Sequence, residues 1–324
     1  MRRKISFEDH PMLPFEEWSA DAAVPPPPRK GGEVPERAAE DRLLYYISFG
    51  SGSSGNSCYV GTRSGGVIID AGIRTDIVEQ TLASYGISMK TVKGVLLTHD
   101  HGDHVRYSYN LLRTHRHLKL FCTNRVLNGL LRRHSISRRI KEYHVPIFKE
   151  IPFKMIDLEI TAFEVPHDGT DNMGFSIDFD GRRFVLATDL GAVSDRARHY
   201  ISGANYLVME SNYDAVMLRD GRYPEYLKAR IVTERGHMDN RDTARFLAEV
   251  VHPGLSHIFL CHLSRDNNTP SKALKATRDA LEARGLRVGT GMETIDDHKA
   301  DVQLMALPRF DPTRLFIFRP GRSD

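Results

Sequence analysis

Residues 98–104 read THDHGDH, with His99, His101 and His104 as imidazoles and Asp100 and Asp103 as carboxylates. Imidazole and carboxylate together suit zinc, manganese or iron. His99 and His101 are two positions apart, so at the end of an extended segment both side chains leave on one side. They could grip one ion. Asp103 and His104 follow in a glycine-containing turn and could reach a second. A capped polar turn is the plainer reading, and distant residues decide between the two. His167 follows the apolar run ITAFEVP, Asp189 follows FVLAT, and His262 follows HIFLC. Each is a polar residue ending a β-type run, which points all three toward one edge of a sheet.

The elements that must position these residues alternate along the chain. Apolar β-rich runs fall at 45–49, 57–62, 66–72, 92–100, 118–123, 158–168, 174–179, 183–192, 205–211 and 257–264. Helical patterns fall at 75–86, 105–117, 125–135, 242–252 and 271–285, the last with Ser271 as its expected cap and Gly285 as its stop. This predicts an α/β layered sandwich. Residues 1–42, with Pro25 to Pro28, form an expected PPII-like or disordered extension, and 43–324 the folded domain. No apolar run approaches the ~20 residues of a membrane span, and the N-terminus has no apolar signal core. Cys58, Cys122 and Cys261 are too scattered for a disulfide framework, so a cytoplasmic location is expected.

The ordered set Asp70, 99-HDHGDH-104, His167, Asp189 and His262 resembles the metallo-β-lactamase superfamily over roughly 45–320. The resemblance implies an αββα fold in a single catalytic domain and a site for two divalent ions, zinc first, with manganese or iron as alternatives. It implies His99, His101 and His167 on one ion, Asp103, His104 and His262 on the other, and Asp189 bridging them. Asp70 would orient a ligand histidine. A bridging aspartate resembles the phosphodiesterase branches more than the antibiotic-cleaving ones. The stretches 49-FGSGSSGNSCYV-60, 210-ESNYD-214, 236-GHMDN-240, 261-CHLSRDNN-268 and 306-ALPRFDPTRLFIF-318 are similar to the WalJ/YycJ-like metallohydrolases, a bacterial group associated with 5′-to-3′ exonuclease action on DNA. Met238-Asp239 departs from that group, where Leu-Ser is commoner. The interval between Asp189 and His262 is too short for a β-CASP insertion.

Other residues carry expectations of their own. His237 is the candidate proton donor or phosphate clamp, with Asp103 as a further catalytic candidate. Asp168 could orient a ligand or move a proton, against a plain turn aspartate. In 50-GSGSSGN-56 the glycines permit tight turns, and Ser53 and Asn56 could brace ligands or bind phosphate, although the Gly-Lys-Ser/Thr ending of a P-loop is absent. From Val105 to Lys141 there are ten Lys or Arg residues and no Asp or Glu. Arg106, Arg113, Arg116, Arg132 and Arg133 lie in this run, which could hold a polyanion. Two solvated amphipathic helices are the plainer reading, but the complete absence of acids across 105–141 favours the polyanion. The expected activity is metal-dependent phosphodiester hydrolysis of DNA, in which two ions about 3.5–4 Å apart share an activated hydroxide. A cyclic phosphodiesterase, a thioester or lactam hydrolase, and a catalytically dead nucleic-acid scaffold are the alternatives.

Overall fold

The computed structural model describes residues 42–291 and 299–319, so the proline-containing segment 1–41 lies outside the described residues. Two sheets form the centre. The first runs in the order β15(Phe316–Phe318), β1(Leu44–Gly50), β2(Ser57–Thr62), β3(Gly65–Ile69), β4(Val92–Leu96), β5(Lys119–Cys122), β6(His144–Pro146). The second runs β13(Val288–Gly289), β14(Val302–Ala306), β12(His257–Cys261), β11(Tyr206–Glu210), β10(Arg182–Ala187), β9(Met173–Phe179), β8(Leu158–Glu164), β7(Phe153–Met155).

Side-chain alternation explains the layering. Along β10, Phe184 and Leu186 join the core shared with the first sheet, while Val185 and Ala187 face the other way. β11 and β12 repeat the pattern, with Val208 and Phe259 inward and Leu207 and Ile258 outward. A period of two sends successive residues to opposite faces. The Tyr46 ring of β1 meets Phe184 at 5.1 Å and Phe259 at 5.0 Å, which ties the sheets together. Helices α1(Thr75–Ser84), α3(Ser108–Thr114) and α4(Asn124–Arg133) cover the first sheet; α5(Asp195–Ile201), α8(Asn240–Val250) and α9(Pro270–Glu282) cover the second. The result is the expected αββα sandwich.

Three expectations need correction. The helix expected at 105–117 is two short ones, α2(Gly102–Val105) and α3, because Tyr107 leaves helical geometry and its amide donates to the carbonyl of Ala71 instead. α9 begins at Pro270 rather than after Ser271: the Thr269 hydroxyl accepts from the Lys272 amide, and proline fits the first helical turn, where its missing N–H costs nothing. The strand runs ending at 72, 100 and 192 stop earlier, so the candidate ligands sit in the loops beyond. Helices α5, α6(Ala215–Asp220) and α7(Glu225–Ile231), with β6, β7 and β13 to β15, were not expected. Among the described residues, no helix is long and apolar enough to cross a membrane.

β3 and β4 are parallel, as are β10, β11 and β12, and β8 runs the same way as β10 through the antiparallel β9. Their C-terminal ends therefore carry Asp70, His99, His167, Asp189, Glu210 and His262 to one edge. Loops beyond such strand ends are where α/β sheets place ligands.

Candidate metal centre

The backbone turns sharply at this edge. Asp70, Asp189 and His262 each follow a strand and have φ of 59°, 52° and 54°. Left-handed backbone is uncommon outside glycine, although Asp and His tolerate it better than most. Packing allows the turns: a Cβ on Gly72 would lie 1.6 Å from the carbonyl oxygen of Asp103, and one on Gly129 would lie 2.0 Å from Asp100 Oδ2. Only glycine lets α4 press against the HDHGDH loop. Asp100 is itself fully buried and accepts from the Thr170 amide at 2.9 Å and hydroxyl at 2.6 Å. It anchors the loop from which His99 and His101 project.

Donor atoms converge in sets. His99, His101 and His167 offer one donor atom each within 4.8 Å of one another, and so do Asp103, His104 and His262. Asp189 sits between them. Its carboxylate lies 3.2 Å from His104 Nε2, 3.2 Å from His262 Nδ1 and 3.8 Å from His167 Nε2.

The neighbours select tautomers. His104 Nδ1 donates to Asp70 at 2.7 Å, His262 Nδ1 to Glu210 at 2.9 Å, and His167 Nδ1 to the carbonyl of Gly236 at 3.0 Å. The Thr98 hydroxyl donates to Asp70 at 2.8 Å and accepts from His99 Nδ1 at 2.9 Å. When these four rings are neutral, Nε2 is the lone-pair atom, as a ligating imidazole requires. His101 is the exception. Its Nδ1 faces His167 Nε2 at 3.3 Å, and its Nε2 lies 3.3 Å from Asp168.

Electrostatics divide the site. Burial, reinforced by neighbouring imidazoles, pushes the pKa of His99 well below the usual histidine value and that of His101 down to about 4. On the other side burial also opposes charge, but Asp189 and Asp70 outweigh it at His104 and raise its pKa well above the ordinary value. Asp189, Asp103 and Glu210 do the same at His262, which rises to about 10. Four carboxylates converging here demand positive charge, which protons or a metal cation can supply. The buried Nε2 atoms of His99 and His262 have no hydrogen-bond partner. Orphaned buried imidazole nitrogens facing carboxylates fit the donor chemistry of a divalent transition metal.

Other expected residues fall as follows. Asn56 donates to Asp103 at 3.2 Å and contacts His104 Nε2 at 2.9 Å, while its side-chain oxygen accepts from the Gly52 amide at 2.7 Å. It locks the glycine-serine loop to the site. Ser53 is exposed at the loop tip and braces no ligand among the described residues. Asp168 pairs with Arg230 at 2.6 Å beside His101. Arg106 donates to the carbonyl of Ser54 at 3.3 Å, and Arg133 lies 3.4 Å from Asp100. Arg113, Arg116 and Arg132 are exposed and make no ion pair among the described residues. Asp239 caps α8 by accepting from the Arg241 and Asp242 amides, so the departure at 238–239 preserves a helix cap.

Sequence reasoning missed Glu210, Thr98 and Asp100. Glu210 is fully buried at the end of β11 and accepts from His237 Nδ1 at 2.7 Å as well as from His262. The amides of Leu190 and Met238 also donate to it. Its signal was the one applied to His167 and Asp189, a polar residue closing an apolar β-run.

An αββα sandwich with imidazoles and carboxylates gathered at its strand ends defines a metal-dependent hydrolase. Residues 66–262 match the Beta-lactamase superfamily domain. A protein called exodeoxyribonuclease YycJ, from Bacillus anthracis, is 34% identical over 259 residues, covering 78% of this chain and 95% of that protein. Exodeoxyribonuclease WalJ of Streptococcus pneumoniae is 29% identical over 252 residues, covering 78% and 93%. The fold is shared with the metallo-β-lactamase fold protein YhfI of Bacillus subtilis (TM-score 0.56, 13% identity, 86% of this chain and 100% of that one). It is also shared with Zn(2+)-bound PqqB of Methylobacterium extorquens (TM-score 0.57, 17% identity, 83% and 99%). The chain belongs to the metallo-β-lactamase superfamily, in its YycJ/WalJ group.

Proposed function

We propose that the chain is a two-metal phosphodiester hydrolase acting on DNA as a 5′-to-3′ exonuclease in the cytoplasm. The observation that carries this reading is Asp189, placed between two complete donor triads. The names of the relatives supply the substrate class.

His99, His101 and His167 would hold one ion and Asp103, His104 and His262 the other, with Asp189 shared; zinc is the first candidate for this donor set. When bound, such a pair supplies an acidified water and neutralises charge on a phosphoryl group. The chain's own residues do the rest. Asp70 and Glu210 fix the rings of His104 and His262. His237 is held through Nδ1 by Glu210, and its ring centroid is 5.1 Å from that of His167 and 5.2 Å from that of His262. Burial opposes charge on His237, but Glu210 prevails and raises its pKa. A partly exposed imidazolium backed by a carboxylate can give a proton to a departing oxygen at Nε2, and Glu210 stabilises its charged form. Arg106 and Arg133 place positive charge at the loops bordering the site.

The test is digestion of duplex DNA labelled at either end, with zinc or manganese, beside a His101→Ala variant. The expected result is release of the 5′ label as mononucleotide by the wild type alone. Equal degradation by both proteins would sink the assigned site. Hydrolysis of bis-p-nitrophenyl phosphate without degradation of DNA would favour a small cyclic or linear phosphodiester instead.

A further inference from the structure

Helix α7 buries none of its side chains. Leu227 and Ile231, one turn apart on α7, and Tyr223, just before the helix, are nevertheless all half-buried and share a surface. They line one wall of a cleft of about 190 Å³ that His237 and His262 border from within and that Ser53 and Ser264 also line. An apolar strip kept off the core and set beside the metal centre contributes little to folding. It is suited to a flat, apolar group delivered with the substrate.

Two contacts hold the strip in place. The Tyr223 hydroxyl donates to Asp266 at 3.0 Å, which restrains the ring. Arg230, one position before Ile231, reaches Asp168 at 2.6 Å, and Asp168 lies 3.3 Å from His101. The helix is thus tied to the centre it overhangs. The cleft is smaller than the roughly 300–1,000 Å³ of pockets that enclose whole drug-sized ligands. It suits part of one nucleotide, and no duplex enters it.

We infer that Tyr223, Leu227 and Ile231 form a base-binding wall, which receives the nucleobase adjoining the phosphodiester under attack. The inference rests on the phosphodiesterase reading above and adds that the nucleotide whose 5′-phosphate is attacked must be unpaired for the bond to be cut. A restrained aromatic ring binds any base by stacking, so the wall selects for the presence of a base more than for its identity.

The experiment compares thymidine 5′-(p-nitrophenyl phosphate) with methyl p-nitrophenyl phosphate, using the metal-loaded full chain. The expected wild-type ratio of kcat/KM favours the nucleoside ester by about tenfold or more. In Tyr223→Ala that ratio falls about tenfold, whereas Tyr223→Phe, which keeps the ring and loses only its tether to Asp266, retains most of it. Leu227→Asn repeats the fall in a variant that leaves the ring untouched. A ratio near one in the wild type, or a ratio unchanged in Tyr223→Ala and Leu227→Asn, overturns the base wall alone. Failure of the wild type to hydrolyse either ester overturns the phosphodiesterase reading and the wall with it.

Discussion

The His99–His101–His167 half of the site is braced by a hydroxyl, a backbone carbonyl and a half-exposed aspartate, whereas the Asp103–His104–His262 half is backed by two buried carboxylates. Asp70 is 3% exposed and Glu210 is fully buried, while the Asp168 side chain keeps 29% of its surface in solvent. Charge in a dry interior is screened far less than charge at the rim. The two halves therefore prefer different protonation: the first keeps its imidazoles neutral, the second draws positive charge inward. Candidate ligands of similar type can thus sit in unlike fields, which Asp189 and the carboxylates of Asp70, Asp103 and Glu210 set together.

The sharpest way to break this comparison is Asp189→Ala, which removes the one carboxylate common to both halves. Its expected effect is loss of bound metal from both positions and a fall in kcat/KM on the order of 10³-fold, about 4 kcal/mol of transition-state stabilisation. Metal content by mass spectrometry alongside phosphodiesterase kinetics checks it. Retention of both ions would show that Asp189 is no bridge.

Next come Glu210→Gln and Asp70→Asn. Each keeps the shape of its side chain but turns one accepting oxygen into a donor and deletes the charge, behind His104 for Asp70→Asn and behind His262 and His237 for Glu210→Gln. Orienting partners of this kind are typically worth 10- to 100-fold in metal affinity. The loss should fall on one ion of two, so titration with a chelator should become biphasic. Uniform weakening of both ions would contradict the division of the site.

Asp168→Asn acts on the more solvated half, so about a two- to fivefold change in metal affinity is expected, the size of a partly exposed ion pair. An effect as large as that of Glu210→Gln would mean that burial does not distinguish the halves.

The smallest effects belong to the basic run. Arg132→Gln and Arg133→Gln should each reduce the slope of log binding against log salt by about 0.7–0.9 if each neutralises one phosphate. An unchanged slope would return α4 to the simpler reading of a solvated amphipathic helix. That reading already accounts for the buried Val126, Leu127 and Leu130 on its other face.

Some features were legible from local spacing because local physics controls them. Short continuous apolar, β-rich runs predict the central strands, since a strand buried on both faces has apolar residues at successive positions. The i, i+2 histidines of the HDHGDH loop, and the polar residues closing β-runs, mark the candidate donors on similar grounds. The short edge strands β6, β13 and β15 were not legible, because two- and three-residue strands carry no periodicity and exist only where a sheet edge accepts them. Helix α7 escaped for the related reason that it has no buried face to impose a pattern.

By itself, the sequence determined the αββα alternation, the donor types and the order in which strand ends present them. Tertiary structure alone decided that Glu210 stands behind both His237 and His262, residues 27 and 52 positions away. It also decided that Asp168 answers to Arg230 and that Ser53 lies at an exposed loop tip instead of bracing a ligand. The physical reason is range. Periodicity and turn chemistry act over a few residues, whereas the field and tautomer of a buried imidazole depend on whichever carboxylate the packed strands bring within about 3 Å.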